Sequence, residues 1–485
     1  MLIALTAPSA VNGMQAQRGF STDYDEWAKF GVSGWSGDDV LPYFRKLEAD
    51  QDFSGPNHGD NGPIKVKRIP ENDWSELTLA FRDALDKRGL PRLTDLNAQT
   101  GDGAGPTPIN ADGGARISSA SAYLGADVRR RSNLTIMANT SVKRIHFDGR
   151  RAVAVETDTG TVINASTIIV SAGAIQSPAL LLRSGIGPAG ELAQAGITPV
   201  ADRRGVGRNL VNHPFLIVSS FIRKPGRQHN WKHVRNPATM FVRYSSKADG
   251  EPSDMVLSLY ERNYSLLEAD PLGRQIAQTM VTMNRSYSRG TIRLNDSAPD
   301  GPPRIEANVL DDPRDLSRMV EGFRMLCEIF NEKPVAPLLE YSFISDMMIG
   351  IPPTGLTAAM LKDDPIAWLV SKVGSFAMDR IPPVRRHFLS AGGRDINRIL
   401  AESETLEENV RDMTGMAAHP AGTCRLGSLD DPDAVLDSRC RVIGVEGLRV
   451  VDASIFPTLM RGGPNIPTIM AAEKAADMIR EDITN

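Results

Sequence analysis

The stretch from Leu134 to Gly185 limits the fold more than any other, because its hydrophobic period switches from that of strands to that of a helix. Thr135-Ile136-Met137, Val142 to Phe147, Ala152 to Thr157 and Thr161 to Ala165 are separated by turns at Asp148-Gly149 and Asp158-Thr159-Gly160 and read as a β-meander. The meander leads into Thr167-Ile168-Ile169-Val170, an unbroken apolar run expected of a strand covered on both faces. A helix follows, with Ser177 as N-cap, Pro178 at its first position and Gly185 closing it. The fold class expected is therefore α/β, mixed with α+β features.

Gly185-Ile186-Gly187-Pro188-Ala189-Gly190 spells GxGxxG, the dinucleotide-binding string, but that fingerprint needs a strand before it and a helix starting within it. Here a helix ends on it. Upstream, Ser36-Gly37-Asp38-Asp39 makes a capping-box pattern before Val40, Leu41, Tyr43, Phe44 and Leu47. Leu77, Phe81, Ala84 and Leu85 give a second amphipathic helix, ended by Gly89 and Pro91. Further on, Tyr287 to Leu294 and Arg304 to Val309 read as strands around Pro302-Pro303, and Leu316, Met319, Val320, Phe323, Leu326, Cys327 and Phe330 keep helical spacing. Ile366, Trp368, Leu369, Val370, Val373, Phe376 and Met378 read as a packed helix. Arg129-Arg130-Arg131 suits a helix end.

With 485 residues, 41% of them hydrophobic, the chain can bury two or three domain cores. A net charge of −4 leaves no nucleic-acid footprint. Cys327, Cys424 and Cys440 have no metal-ligand spacing, so no metal is expected and a reducing, cytoplasmic compartment is the simpler reading. No apolar run reaches the length of a membrane span, and Met1 to Val11 lacks the basic start of a signal peptide.

The chemistry is concentrated near the C-terminus. His419-Pro420-Ala421-Gly422-Thr423-Cys424-Arg425-Leu426-Gly427 is followed by Asp452-Ala453-Ser454 and then by Gly462-Gly463-Pro464-Asn465-Ile466-Pro467-Thr468. A histidine can take a proton near neutral pH. An asparagine opening a helix stands beside unpaired N–H groups suited to developing negative charge. Together they suit removal of a proton and a hydride from an alcohol.

In that order these residues resemble the C-terminal end of the glucose-methanol-choline family of FAD-dependent oxidoreductases. Gly173-Ala174-Ile175-Gln176-Ser177-Pro178-Ala179-Leu180-Leu181-Leu182-Arg183-Ser184-Gly185-Ile186-Gly187 agrees with the family's internal signature. Asn12-Gly13-Met14, Arg18-Gly19, Asp23-Tyr24-Asp25, Trp27, Gly34-Trp35-Ser36 and Leu41-Pro42-Tyr43-Phe44 are similar to the stretch after its glycine-rich flavin loop. Tyr24-Asp25-Glu26-Trp27 and Asn57-His58-Gly59-Asp60-Asn61-Gly62-Pro63-Ile64 point to the choline dehydrogenase and hydroxymethylfurfural oxidase branch. The family's opening strand-GxGxxG-helix unit does not precede these blocks, and Thr6-Ala7-Pro8-Ser9 stands where a second glycine-rich loop is expected. Met1 is accordingly read as the start of a truncated or mis-started reading frame.

The resemblance implies a Rossmann-like FAD-binding domain over 1–214, N-terminally incomplete and with a helical cover at 26–115. A substrate-binding domain on an antiparallel sheet flanked by helices would occupy 215–410, and the chain would return to the FAD domain over 411–485. It implies His419 as general base and Asn465 as its partner on the alcohol oxygen. FAD would be held by Asn12, Met14, Val142, Asp452, Ala453, Ile466, Pro467 and Thr468, with the helix starting near Pro467 placed to steady negative charge on the flavin. Val142 alone would read as core, and His213 as a structural or supporting histidine. Ala418 stands where many relatives carry an aromatic residue, which would leave room for bulkier alcohols. The substrate is an alcohol, the product an aldehyde or ketone and the electron acceptor oxygen or a quinone. The alternatives are a redox-silent FAD-containing lyase and an inactive chain unable to hold FAD.

Overall fold

The structure, a computed structural model, describes residues 2–3, 8–228, 238–248, 251–262, 273–295, 297–344, 394–484 and part of 369–385. Two hydrophobic clusters organise them. In the first, the strand Ile168–Val170 lies parallel between Leu2–Ile3 and Leu448–Val450, with Ile168 and Val170 buried and Ile169 partly so. The antiparallel meander Val142–Asp148, Arg151–Thr157 and Val162–Asn164 packs beside it, with Gly149 supplying the left-handed turn residue. Thr135-Ile136-Met137 does not join the meander. No strand among the described residues pairs with it, and Ile136 and Met137 are exposed.

The second cluster is built on an eight-stranded antiparallel sheet whose long strands are Pro214–Ile222, Ile276–Met283, Met255–Tyr260 and Met240–Tyr244. The helices Glu76–Lys87 and Pro313–Asn331 bury their apolar stripes in this cluster, Phe81 meeting Phe330 edge-on. The mixed α/β class and the antiparallel sheet flanked by helices are as expected. Thr291–Arg293 and Arg304–Glu306 form only a two-stranded ribbon outside the large sheet, shorter than the sequence suggested. Ile366, Trp368, Val370 and Met378 lie outside the described residues, while Leu369, Val373 and Phe376 are exposed instead of packed.

Local signals set the helix starts where a side chain caps its own helix. Ser36 caps Gly37–Leu47 in a full capping box with Asp39, and Ser75 caps Glu76–Lys87. Ser177 does not cap the signature helix, which instead runs Gly173–Arg183 with Pro178 inside it. Two long-range contacts account for the difference. The Gly173 backbone, at φ +80°, donates its N–H to Asp452 Oδ2 at 2.9 Å, and Ser177 Oγ donates to the same oxygen at 2.5 Å. Pro178 lacks the N–H that would meet the Ala174 carbonyl, and the Thr423 hydroxyl donates to that carbonyl at 2.6 Å. Gly185, at φ +86°, ends the helix, so the GxGxxG string is a helix C-terminus as read from sequence.

Candidate active site

The two clusters meet where residues 211–215 run antiparallel to 415–421. Pro214 faces Met416 and Phe215 faces Gly415, and the His213 carbonyl accepts from Ala417 N at 2.9 Å. Two residues back on one side Val211 pairs with Ala421 instead of residue 419, both bonds being 3.0 Å, so the 417–421 strand carries two extra residues. The bulge is built from what the sequence offers there. Ala418 takes the left-handed conformation at φ +55°, and Pro420 has no N–H to leave unpaired. Asn212 Oδ1 holds it from beneath, accepting from His213 N at 2.9 Å and His419 N at 3.1 Å.

This places the His419 imidazole edge-on to His213, with rings at 89° and the two Nδ1 atoms 2.9 Å apart. Burial pushes His419 down to about 4, so it is neutral at physiological pH. His213 is almost wholly inaccessible, and burial drives it far below the usual histidine range, with the charge of His419 opposing protonation further. On its far edge the His419 ring meets Gly463, where a Cβ would stand 3.8 Å from Cε1 and Nε2. Asn465 follows two residues later, and its Nδ2 is buried with no hydrogen-bond partner among the described residues. Gln17 lies on the same stretch: a Cβ on Gly462 would stand 3.0 Å from Gln17 Cβ, and both Gln17 amide atoms are buried without partners. Buried polar groups in a folded chain usually have partners, and amides left open here are available to a bound molecule.

The final helix runs Asn465–Thr484, two residues earlier than a start at Pro467. Pro467 therefore stands third, still within the turn where no N–H is needed. Thr468 N is spent on the Pro464 carbonyl at 2.9 Å, which leaves the first-turn amides of Asn465 and Ile466 unused by the helix. Asp452 is committed as a clamp on Gly173 and Ser177, and it also accepts from Ser454 N at 2.8 Å. The neighbouring Ala453 carbonyl accepts from Gly422 N at 3.1 Å. Asn12 Oδ1 accepts from Met14 N at 3.0 Å and from Arg116 at 2.5 Å, holding Met14 at φ +60°. Ile466 belongs to the first cluster with Ala421 and Cys424 of the His419 loop, and Ala453 packs against it, whereas Met14 belongs to the second. Val142 packs against the first cluster at the start of the meander, opposite Thr157. Sequence reasoning gave no sign of Asn212 or Gln17.

Among the described residues Glu48, Asp50 and His58 form a group of metal-ligand type. It is already balanced by protein cations. His58 lies 3.1 Å from Asp50 and 2.7 Å from Asp95, and these carboxylates with Glu48 raise it to about 10, while Arg18 pairs with Glu48 and Arg68 with Asp50. A protonated imidazole is no ligand. Cys424 is fully buried and its thiol is pushed well up by burial, as suits a packed loop residue. No described helix is long and apolar enough to cross a membrane.

Comparison with known proteins identifies the family. Models of the GMC oxidoreductase family match residues 6–215 and 286–472. The chain is similar to a 5-(hydroxymethyl)furfural oxidase of Methylovorus sp. (strain MP688), 36% identical over 97% of this chain and 81% of that protein. It is 31% identical to an oxygen-dependent choline dehydrogenase of Brucella ovis, over 98% and 81% of the two chains. Its fold superposes on pyridoxine 4-oxidase from Mesorbium loti with a TM-score of 0.75 and 26% identity, covering 98% of this chain and 83% of that one. Two family models, matched in order and together spanning most of the sequence, settle its membership: the chain belongs to the GMC oxidoreductase family.

Proposed function

We propose that the protein oxidises an alcohol to an aldehyde or ketone with bound FAD, His419 acting as general base and Asn465 as the donor that holds the substrate oxygen. The observation that carries this reading is the neutral His419 imidazole beside the segment that ends in the unpartnered Asn465 amide. The residues present fit the cofactor, since an orphaned carboxamide donor and the free amides of a helix start suit the acceptor-rich edge of a flavin. When bound, FAD supplies the acceptor for the hydride leaving the carbinol carbon. His419 Nε2 takes the hydroxyl proton as the C–H bond breaks, so that proton and hydride leave separately and a carbonyl remains. Asn465 Nδ2 donates to the alcohol oxygen and fixes it before the base. The start of the Asn465–Thr484 helix, with Ile466 in its first turn, favours negative charge nearby. Asp452 and Ala453 shape the turn behind it, and Asn12, Met14 and Val142 are proposed as further cofactor contacts.

Oxygen is the favoured acceptor over a quinone, since the relatives include an oxidase and an oxygen-dependent dehydrogenase by name. An absorbance scan of the purified chain, followed by anaerobic addition of primary and secondary alcohols, tests the proposal. Visible flavin bands that bleach with alcohol and return with oxygen are expected. Bands that never bleach would mean the redox-silent lyase reading, and an absence of bands would mean a chain that does not hold FAD.

A further inference from the structure

We infer that His213 sets the tautomer of His419, leaving its Nε2 bare for the substrate proton, a positioning role that deepens the proposed alcohol oxidation and rests on it. The argument is one of proton counting. His213 is buried and His419 half-buried, and desolvation disfavours both as cations, His213 additionally through the nearby Arg285, so a single proton lies between the two Nδ1 atoms 2.9 Å apart. Which ring owns it is decided at the far edge of His213. With Nδ1 turned to His419, Nε2 is the ring nitrogen left for the backbone of Met460 and Asn284, which favours a hydrogen on His213, and it has no hydrogen-bond partner among the described residues. A bare Nε2 would forgo that backbone interaction, so that nitrogen carries the hydrogen. A neutral ring has only one N–H, which makes His213 Nδ1 the acceptor. His419 must then donate from Nδ1, and its own Nε2 is unprotonated at the edge that faces Gly463 and the approach to Asn465.

The backbone makes this geometry specific. His213 and His419 stand at the two ends of the slipped ladder, joined by the Asn212 side chain and by the Ala417 N–H on the His213 carbonyl. Without the bulge, residue 419 would have paired with Val211. His213 touches neither alcohol nor cofactor in this scheme and acts only through the ring it orients.

The test uses the full chain labelled with ¹⁵N-histidine, in which pyridine-like and pyrrole-like ring nitrogens are told apart by long-range proton–nitrogen spectra and assigned by variants. His419 is expected to show a pyridine-like Nε2 and a pyrrole-like Nδ1, and His213 the reverse. His213→Asn keeps an acceptor near the Nδ1 position and should preserve the pattern, whereas His213→Leu should release His419 into a mixture of tautomers. In the flavin-loaded enzyme, His213→Leu should slow the reductive step on the order of 100-fold with little change in half-saturating alcohol, and His213→Asn should restore most of it. A proton on His419 Nε2 in the wild type, or an unchanged pattern in His213→Leu, overturns the inference. If His213→Leu does not fold, the wild-type and His213→Asn spectra still decide. The expected tautomers without any alcohol-driven bleaching would leave this inference standing and refute the proposed function.

Discussion

At the scale of single residues, the proposed base can act only when deprotonated, and burial holds His419 at about 4 in the folded chain against about 6.5 for a free histidine. The rate of alcohol-driven flavin reduction should therefore rise as pH is raised through about 4 and be level by pH 6. A rise centred on 6.5 in stopped-flow measurements would show that the site does not desolvate this ring. The same shift makes the fold acid-sensitive: the unfolded chain binds a proton that the native ring refuses, so stability falls as pH drops from about 6.5. Ala418 governs reach instead of protonation. It sits exposed at φ +55° next to the base, and Ala418→Trp should raise the KM of a bulky secondary alcohol about 10-fold while sparing the smallest primary ones. Wild-type activity restricted to those smallest alcohols, and unchanged in the variant, would sink the idea. His419 and Asn465 could be proposed from the sequence because each lies in a dense motif. The partnership with His213 was not, since it depends on a register slip between strands some two hundred residues apart, which no local pattern encodes.

At the scale of elements, what the sequence revealed tracks how locally each element is specified. Ser36 and Ser75 cap their own helices, and the turns at Gly149 and Gly160 supply their own left-handed residues, so these boundaries could be read directly. The signature helix could not, because Asp452 draws its start back to Gly173 from far along the chain. Its internal proline gives a sharp test. Thr423→Val removes the hydroxyl that satisfies the buried Ala174 carbonyl and should cost about 1–3 kcal/mol in urea unfolding. Adding Pro178→Ala supplies a backbone N–H in its place and should recover part of that loss, so the two changes should be non-additive. Additive losses would show that the carbonyl does not matter. Thr135-Ile136-Met137 has the composition of a strand but no neighbour to pair with, which is a property of the surroundings and not of the segment.

At the scale of the whole molecule, the ion network around His58 ties together segments that are far apart in the chain, bringing Arg18, Glu48, Asp50, Arg68 and Asp95 onto one buried imidazole. The folded ring is raised to about 10, above its unfolded value. Its contribution is therefore complete below about pH 6.5 and is lost as pH climbs through about 10. His58→Gln should destabilise the chain by roughly 3–5 kcal/mol at pH 6 and by much less above pH 10. A pH-independent difference in denaturation midpoint would mean that the ring is not charged in the native state. The family could be read from motifs spread along the chain, but this network could not, since Arg18 and Asp95 reach it from outside the 48–68 stretch that holds its other members. The slipped ladder between 211–215 and 415–421 bears on redesign. Because main-chain bonds close it on both sides, the direction in which the imidazole points is stored in peptide geometry. Side chains lining the rim can then be exchanged to welcome new molecules without disturbing the aim of the proton acceptor, whereas inserting or deleting one residue there would turn it away.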